Sequence, residues 1–296
     1  MSGGGRDPRA ASAVTLTTLA AKKAAGDPIV MVTAYDHPSA RIADEVGVDI
    51  VLVGDSAANV VLGYESTVPV TVDELLVLVR AVRRGLRHAF LVADLPFGSY
   101  EASDEQAVRT AQRFVKEGGA DAVKLERAGT TVERARAVVA AGIPVMGHVG
   151  LTPQAATSLG GYRAQGRTAE QAEQLIDGAL ALQQAGCFAV VLEAVPAAVT
   201  ELLAPLMTCV TIGIGAGGAT DGQVLVWHDL LGLTDGRVAR FVQRFADLRS
   251  EAVRGLTAYA EAVRQREFPA KEHTYGIPKD ELASLRERLA QRAQQD

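Results

Sequence analysis

Asp49-Ile50-Val51-Leu52-Val53-Gly54-Asp55 is a strand-length apolar run that ends in a glycine and a carboxylate. Both of its faces are apolar. That pattern suits a parallel strand covered by helices rather than a strand with one face in water. Similar runs lie on either side of it. One precedes it at 29–34, and six follow at 89–93, 122–125, 144–149, 189–192, 209–214 and 224–227. Each is short and rich in Val, Ile or Leu, as buried strands are.

Amphipathic stretches separate these runs. Residues 38–46 carry Ala40, Ile42, Ala43 and Val46 at helical spacing. Residues 72–84 carry Leu75, Leu76, Val79 and Val82. Thr71 stands before them and Glu74 three residues later, which forms a capping box. Helices are also expected over 104–118, ending at Gly118-Gly119, and over 131–141 and 169–185. Eight strands alternating with helices predict an α/β protein, a (β/α)8 TIM barrel. An open doubly wound sheet stays possible, because alternation does not prove closure. A further helix is expected over 237–266, and a polar one over 279–295 after Phe268-Pro269. The expected organisation is a flexible tail at 1–14, one barrel domain with C-terminal helices at 15–274, and a polar extension at 275–296.

Composition narrows the function classes. Of the 296 residues 48% are hydrophobic and 22% charged, with a net charge of -5. Arg83, Arg84 and Arg87 are interrupted by apolar residues and make no basic face, so no nucleic-acid partner is expected. No apolar run reaches the eighteen or so residues of a membrane span, and the first thirteen lack the apolar core of a secretory signal. A cytoplasmic protein is the expectation. Cys187 and Cys209 sit in apolar surroundings and read as small core residues.

Polar residues collect where the strands end. Asp55, Asp94 and Glu126 close the second, third and fourth runs. Neighbouring strands lie about 4.8 Å apart, so three carboxylates on one rim repel each other unless a cation sits among them. A Mg²⁺ ion with oxygen ligands and several waters meets that need. The plainer reading is that each caps the following helix. Lys124 shares a strand face with Glu126 and either binds a substrate oxygen or forms a buried ion pair. His148 ends the fifth run, either contacting substrate or serving the structure. Glu193 ends the sixth, where the apolar residues before it offer a general base desolvated surroundings; otherwise it is a helix N-terminal acid before Pro196. The glycine-rich stretch from Gly213 to Gly218 is too weak a signal for phosphate or dinucleotide binding.

The ordered motifs carry a resemblance. They are Thr33-Ala34-Tyr35-Asp36, Val53-Gly54-Asp55-Ser56, Val92-Ala93-Asp94-Leu95-Pro96-Phe97, Val123-Lys124-Leu125-Glu126, Gly147-His148-Val149-Gly150-Leu151-Thr152-Pro153-Gln154, Gly160-Gly161-Tyr162-Arg163, Val191-Leu192-Glu193 and Gly213-Ile214-Gly215-Ala216-Gly217. Over roughly Thr15 to Thr274 the chain resembles the ketopantoate hydroxymethyltransferase family. The resemblance implies a Mg²⁺-dependent barrel, usually a homodecamer. It implies transfer of a hydroxymethyl group from 5,10-methylenetetrahydrofolate to the 2-oxo acid 3-methyl-2-oxobutanoate, through a metal-stabilised enolate. Asp55 and Asp94 then match the metal carboxylates, with Glu126 acting through water. Ser56 matches a group that binds the substrate carboxylate. Asp94, Lys124 and His148 match further substrate-binding positions, and Glu193 the base that removes the C3 proton. Arg127-Ala128 departs from the two glycines usual after the glutamate; the Arg127 side chain should point away from the metal face, toward the folate tail or solvent. An alternative is a lyase or mutase of the phosphoenolpyruvate mutase and isocitrate lyase type, which often uses a loop cysteine that this chain does not show. A barrel that only binds is the other alternative.

Overall fold

The computed structural model describes residues 13–155, 164–236 and 238–294. The motif Gly160-Gly161-Tyr162-Arg163 therefore lies outside the described residues, as does Arg237. In chain order the elements are α1 (Leu16–Ala25), β1 (Ile29–Thr33), α2 (His37–Glu45), β2 (Ile50–Val53), α3 (Ala57–Val60), α4 (Val72–Gly85), β3 (Phe90–Asp94) and α5 (Asp104–Lys116). There follow β4 (Ala122–Lys124), α6 (Thr130–Ala140), β5 (Val145–Gly150), α7 (Ala169–Gln184), β6 (Ala189–Glu193), α8 (Ala197–Leu203), β7 (Val210–Ile214), β8 (Gly222–Leu225), α9 (Trp227–Leu230), α10 (Leu248–Arg264) and α11 (Lys279–Arg292).

The eight strands pair in sequence order, all parallel, and β8 returns to β1. The expected barrel is closed, which removes the open sheet. Side-chain alternation divides its apolar residues into two cores. Ile50, Leu52, Phe90, Val92, Met146, Val191 and Ile212 fill the interior, joined from below by Leu19 of α1. Val51, Val53, Leu91, Val123, Val145 and Val190 face outward and pack under the helices. Leu75, Leu76, Val79 and Val82 of α4 are all buried, and Thr71 and Glu74 form the expected capping box.

Two expected elements begin elsewhere. The eighth strand starts at Gly222 and ends before Trp227, which opens α9. The helix expected from 237 begins only at Leu248. Residues 238–245 are irregular, with a turn at Arg240-Phe241, and the Phe241 side chain packs on the interior apolar cluster. Contacts divide the chain into Met1–Ala246 and Asp247–Asp296, whereas the sequence reading carries one domain to Thr274. Within the second unit Phe268 stacks edge-on against Tyr259 at 5.6 Å and contacts His273 at 5.1 Å.

Three aspartates stitch the amino ends of the strands. Asp49 accepts the Val30 N–H at 2.8 Å and meets Lys22 Nζ at 2.7 Å. Asp121 accepts the Leu91 N–H at 2.8 Å and pairs with Arg83 at 3.1 Å. Asp221 accepts the Thr211 N–H at 2.7 Å and meets Lys23 Nζ at 2.7 Å. Each links the start of an even-numbered strand to the odd-numbered strand before it.

Candidate active site

The interior row of each strand continues upward into polar residues. In β3 the row is Phe90, Val92, Asp94; in β4 it is Ala122 and Lys124, then Glu126 just beyond. In β5 it is Met146 and His148, and in β6 Ala189, Val191 and Glu193. A two-residue period thus delivers five polar side chains to one end of the barrel. Asp55 is out of step with Ile50 and Leu52. It arrives because the chain turns at Gly54 into α3, and its N–H donates to Asp94 Oδ2 at 2.9 Å.

These side chains line a cavity of about 630 Å³, together with Ser56. Asp55, Asp94, Lys124, Glu126 and His148 are each no more than 4% exposed. Lys124 Nζ lies 2.7 Å from Asp94 Oδ1 and 3.9 Å from Glu126 Oε1. His148 stands between two acids, with Nδ1 3.4 Å from Glu126 and Nε2 3.3 Å from Glu193. Ser56 Oγ shares a 2.8 Å hydrogen bond with the Tyr35 hydroxyl. All the sequence-derived candidates therefore share one cavity.

Burial opposes charge on every one of these groups, and neighbours decide the outcome. Burial, with Glu126 and Asp94 nearby, pushes the Asp55 carboxyl well above the ordinary range. Burial raises Asp94 too, although Lys124 pulls the other way. Glu126 is held below its ordinary value, because His148, Lys124 and the Gln154 N–H outweigh burial. Lys124 is raised, since Asp94, Glu126 and Asp55 outweigh the cost of its burial. Burial and Lys124 both work against a proton on His148, yet Glu126 and Glu193 push it up to about 9.

This charge pattern tests the fit of a metal. Asp55, Asp94, Glu126 and Glu193 outnumber Lys124 and His148, the basic groups buried among them, and the raised Asp55 and Asp94 carboxyls mark where a cation would relieve the repulsion. Among the described residues no three His, Cys, Asp or Glu side chains converge as a ready cage. Mg²⁺ asks for less: one or two carboxylates and several waters. Asp55 and Asp94 provide that oxygen pair. Glu126 has its oxygens directed at His148 and at the Gln154 N–H, 3.0 Å away, which leaves it one step removed.

Sequence reasoning assigned no role to Gln154 or Tyr100. Gln154 is buried, and its amide donates to Asp55 Oδ2 at 2.9 Å and to the Leu95 carbonyl at 3.0 Å. The Tyr100 hydroxyl donates to Gln154 Oε1 at 2.6 Å and accepts the Glu126 N–H at 3.3 Å. The two residues fix both acids from behind. Both follow strands as loop residues, where no period marks them. Gly150 (φ 97°) brings β5 against Glu193, since a Cβ there would collide with the Glu193 carbonyl.

Arg127 leaves the site by a left-handed turn rather than an extended backbone, with φ 77°. Its exposed side chain lines a separate cavity with Val149, Thr152 and Gln174, while Glu126 and His148 line the barrel-end one. Left-handed backbone costs a residue with a Cβ roughly 1–2 kcal/mol, and glycine's extra chain entropy offsets roughly 0.5–1 of that. Arg127→Gly should therefore raise stability by up to about 1.5 kcal/mol. Urea denaturation checks this, and a lower midpoint would refute the strain.

Ionisable groups brought together inside a closed barrel, all at one end of its strands, place this chain among the (β/α)8-barrel enzymes. The family model described as ketopantoate hydroxymethyltransferase matches residues 13–271, and the chain belongs to that family. A 3-methyl-2-oxobutanoate hydroxymethyltransferase of Rhodococcus jostii (strain RHA1) is 56% identical, covering 87% of this chain and 89% of its own length. One from Frankia alni is 54% identical, covering 91% and 88%. Among solved structures, a phosphonopyruvate hydrolase complexed with oxalate and Mg²⁺ is similar with a TM-score of 0.57 at 13% identity, covering 94% of this chain and 96% of its own. A 2,3-dimethylmalate lyase of the PEP mutase/isocitrate lyase superfamily gives 0.54 at 16%, covering 95% and 99%. At such identities the likeness is one of fold alone. The lyase and mutase alternative thus shares the barrel, while close sequence relationship lies with the hydroxymethyltransferases.

Proposed function

We propose that this chain transfers a hydroxymethyl group from 5,10-methylenetetrahydrofolate to 3-methyl-2-oxobutanoate, giving 2-dehydropantoate. The observation that carries this reading is the placement of Glu193 in the same cavity as the Asp55–Asp94 pair. The names of the 52–56% identical relatives support it. Asp55 and Asp94 would hold Mg²⁺, with Glu126 acting through water. When bound, the cation draws electrons from the oxo acid and lowers the cost of removing its C3 proton. Ser56, steadied by Tyr35, binds the substrate carboxylate. Lys124 presents N–H groups to its oxygens, and Asp94 orients Lys124. Glu193 takes the C3 proton, and His148 Nε2 holds that carboxylate in place. The resulting carbon nucleophile forms the C–C bond to the one-carbon unit, and water supplies the hydroxyl as both C–N bonds break. The C3 proton and one proton from water end on the two nitrogens of the released tetrahydrofolate.

A homodecamer belongs to the same reading, on the strength of the resemblance. A cytoplasmic site of action fits the two free cysteines, since reducing compartments keep thiols unpaired. Burial pushes Cys187 up to about 12 and Cys209 to about 11, which leaves both inert as nucleophiles. That disfavours a chemistry built on cysteine. No described helix is long and apolar enough to cross a membrane.

The test uses purified protein, Mg²⁺ and 3-methyl-2-oxobutanoate in D₂O. Without folate, deuterium should enter C3; with 5,10-methylenetetrahydrofolate, 2-dehydropantoate should form. A protein that only binds shows neither. Carbon–carbon cleavage of a malate-type acid in place of transfer would favour the lyase reading.

A further inference from the structure

Residues 238–242 line the same cavity as the acids assigned above. Two contacts hold this segment. The Phe241 ring rests on Gly215 (φ 65°), where any Cβ would collide with it, and packs against the interior apolar cluster. Further on, the Phe245 N–H donates to the Leu230 carbonyl at 2.8 Å. Held by these two contacts, the segment places Arg240 in the lining of the cavity. Arg240 is exposed, so it stands at the mouth, whereas Lys124 is buried at depth.

Lys124 and Arg240 differ in a second way. Lys124 is matched by Asp94 2.7 Å away. Among the described residues no carboxylate pairs with Arg240 and no acceptor takes its hydrogen bonds. A guanidinium offers a planar fork that suits a carboxylate.

We propose that Arg240 is a carboxylate-binding subsite at the cavity mouth and that it grips the glutamate end of the reduced folate. This rests on the folate reading above. The one-carbon unit must reach the nucleophile near Asp55, Asp94 and Glu193, deep in the barrel. The rest of that long molecule then extends toward the mouth, with its carboxylates outermost. The small oxo acid carries its single carboxylate at depth, beside Ser56. Arg240 therefore sets specificity for the co-substrate and takes no part in proton removal.

The test compares wild type with Arg240→Gln, Arg240→Lys and, as a control, Arg127→Gln, whose side chain belongs to the other cavity. A hydrogen bond to a charged group is worth about 1.5–3 kcal/mol, which corresponds to a roughly 10- to 100-fold change. Arg240→Gln should raise KM for 5,10-methylenetetrahydrofolate by that factor. KM for the oxo acid and folate-free deuterium uptake at C3 should stay within about twofold. Arg240→Lys should recover part of the loss. In direct binding, wild type should prefer tetrahydrofolate over tetrahydropteroate, which lacks the glutamate, and Arg240→Gln should lose that preference. An unchanged folate KM in a folded Arg240→Gln protein overturns the subsite. So does a rise confined to the oxo acid, or an equal rise in Arg127→Gln. If wild type itself neither exchanges nor transfers, the functional reading fails first and takes the subsite with it.

Discussion

Glu193→Gln should lose deuterium uptake into C3 of 3-methyl-2-oxobutanoate by a factor of roughly 10² to 10⁴, the usual worth of a positioned base. Glutamine keeps the size and the hydrogen-bonding ability of the side chain. It removes the negative charge and with it the basicity that receives the proton. His148 Nε2, 3.3 Å from the carboxylate, retains an oxygen partner in the amide. The loss should therefore appear without a matching loss of metal or oxo-acid affinity. Glu193 is also less enclosed than its neighbours, with 16% of its side chain exposed against 2% for His148. A proton taken from substrate has a route outward to solvent from there. Near-wild-type exchange in a folded variant that still binds the oxo acid would remove Glu193 from the chemistry. A variant that is merely unstable yet exchanges when folded would mark it as structural.

Asp94→Asn should come close to abolishing turnover and should weaken Mg²⁺ binding at least tenfold. The expectation follows from how many tasks the carboxylate performs. One oxygen meets Lys124 and the other accepts the Asp55 N–H. Asparagine preserves the acceptor for Asp55 but removes the negative charge. Lys124 is then left in a buried site with Glu126, 3.9 Å away, as its main counter-charge. Alanine is a harsher test, because breaking a buried ion pair from one side costs about 3–5 kcal/mol. It would confuse unfolding with loss of metal. Isothermal calorimetry with Mg²⁺ on the asparagine variant gives the decisive reading. An affinity equal to wild type would take Asp94 out of the metal site, whatever happened to turnover.

Much of this site was legible because it obeys a period. Asp94, Lys124, His148 and Glu193 lie on strand positions where alternation puts a side chain inside the barrel. Apolar runs ending in such residues announce both the strands and the rim. Asp55 was found by its motif but breaks the alternation, and only the turn at Gly54 explains its arrival. Gln154 and Arg240 were not assigned, for a common reason. Each belongs to an irregular segment whose position is fixed by something distant in sequence. For Gln154 the partners are Asp55, Leu95 and Tyr100. For Arg240 the anchor is Gly215 beneath Phe241. The same cause displaced the helix expected from 237. Its apolar residues satisfy a helical spacing, but Phe241 packs on the interior cluster instead. The stitching aspartates carry a signal that is visible afterwards: each is the last residue before its strand, at Asp49, Asp121 and Asp221.

The Asp221 stitch has a bearing on how the chain is made. Lys23 and Asp221 stand 198 residues apart in sequence, and β1 cannot pair with β8 until Gly222–Leu225 has been synthesised. On a ribosome the ring therefore stays open through most of translation, since the last seam joins the first strand to the last. Contacts this remote are slow to form, because the intervening chain must give up its freedom before they reward it. The candidate catalytic groups follow a different schedule. Asp55 through Glu193 all lie at the ends of β2 to β6, strands that pair with neighbours already delivered. An incomplete barrel would thus expose a row of acids at one end and the unpaired edges of β1 and the newest strand along its sides. The aspartates at the opposite end join neighbouring strands as they emerge, two at a time. They give a growing chain local closures that shorten the period during which its open edges are free to meet another copy.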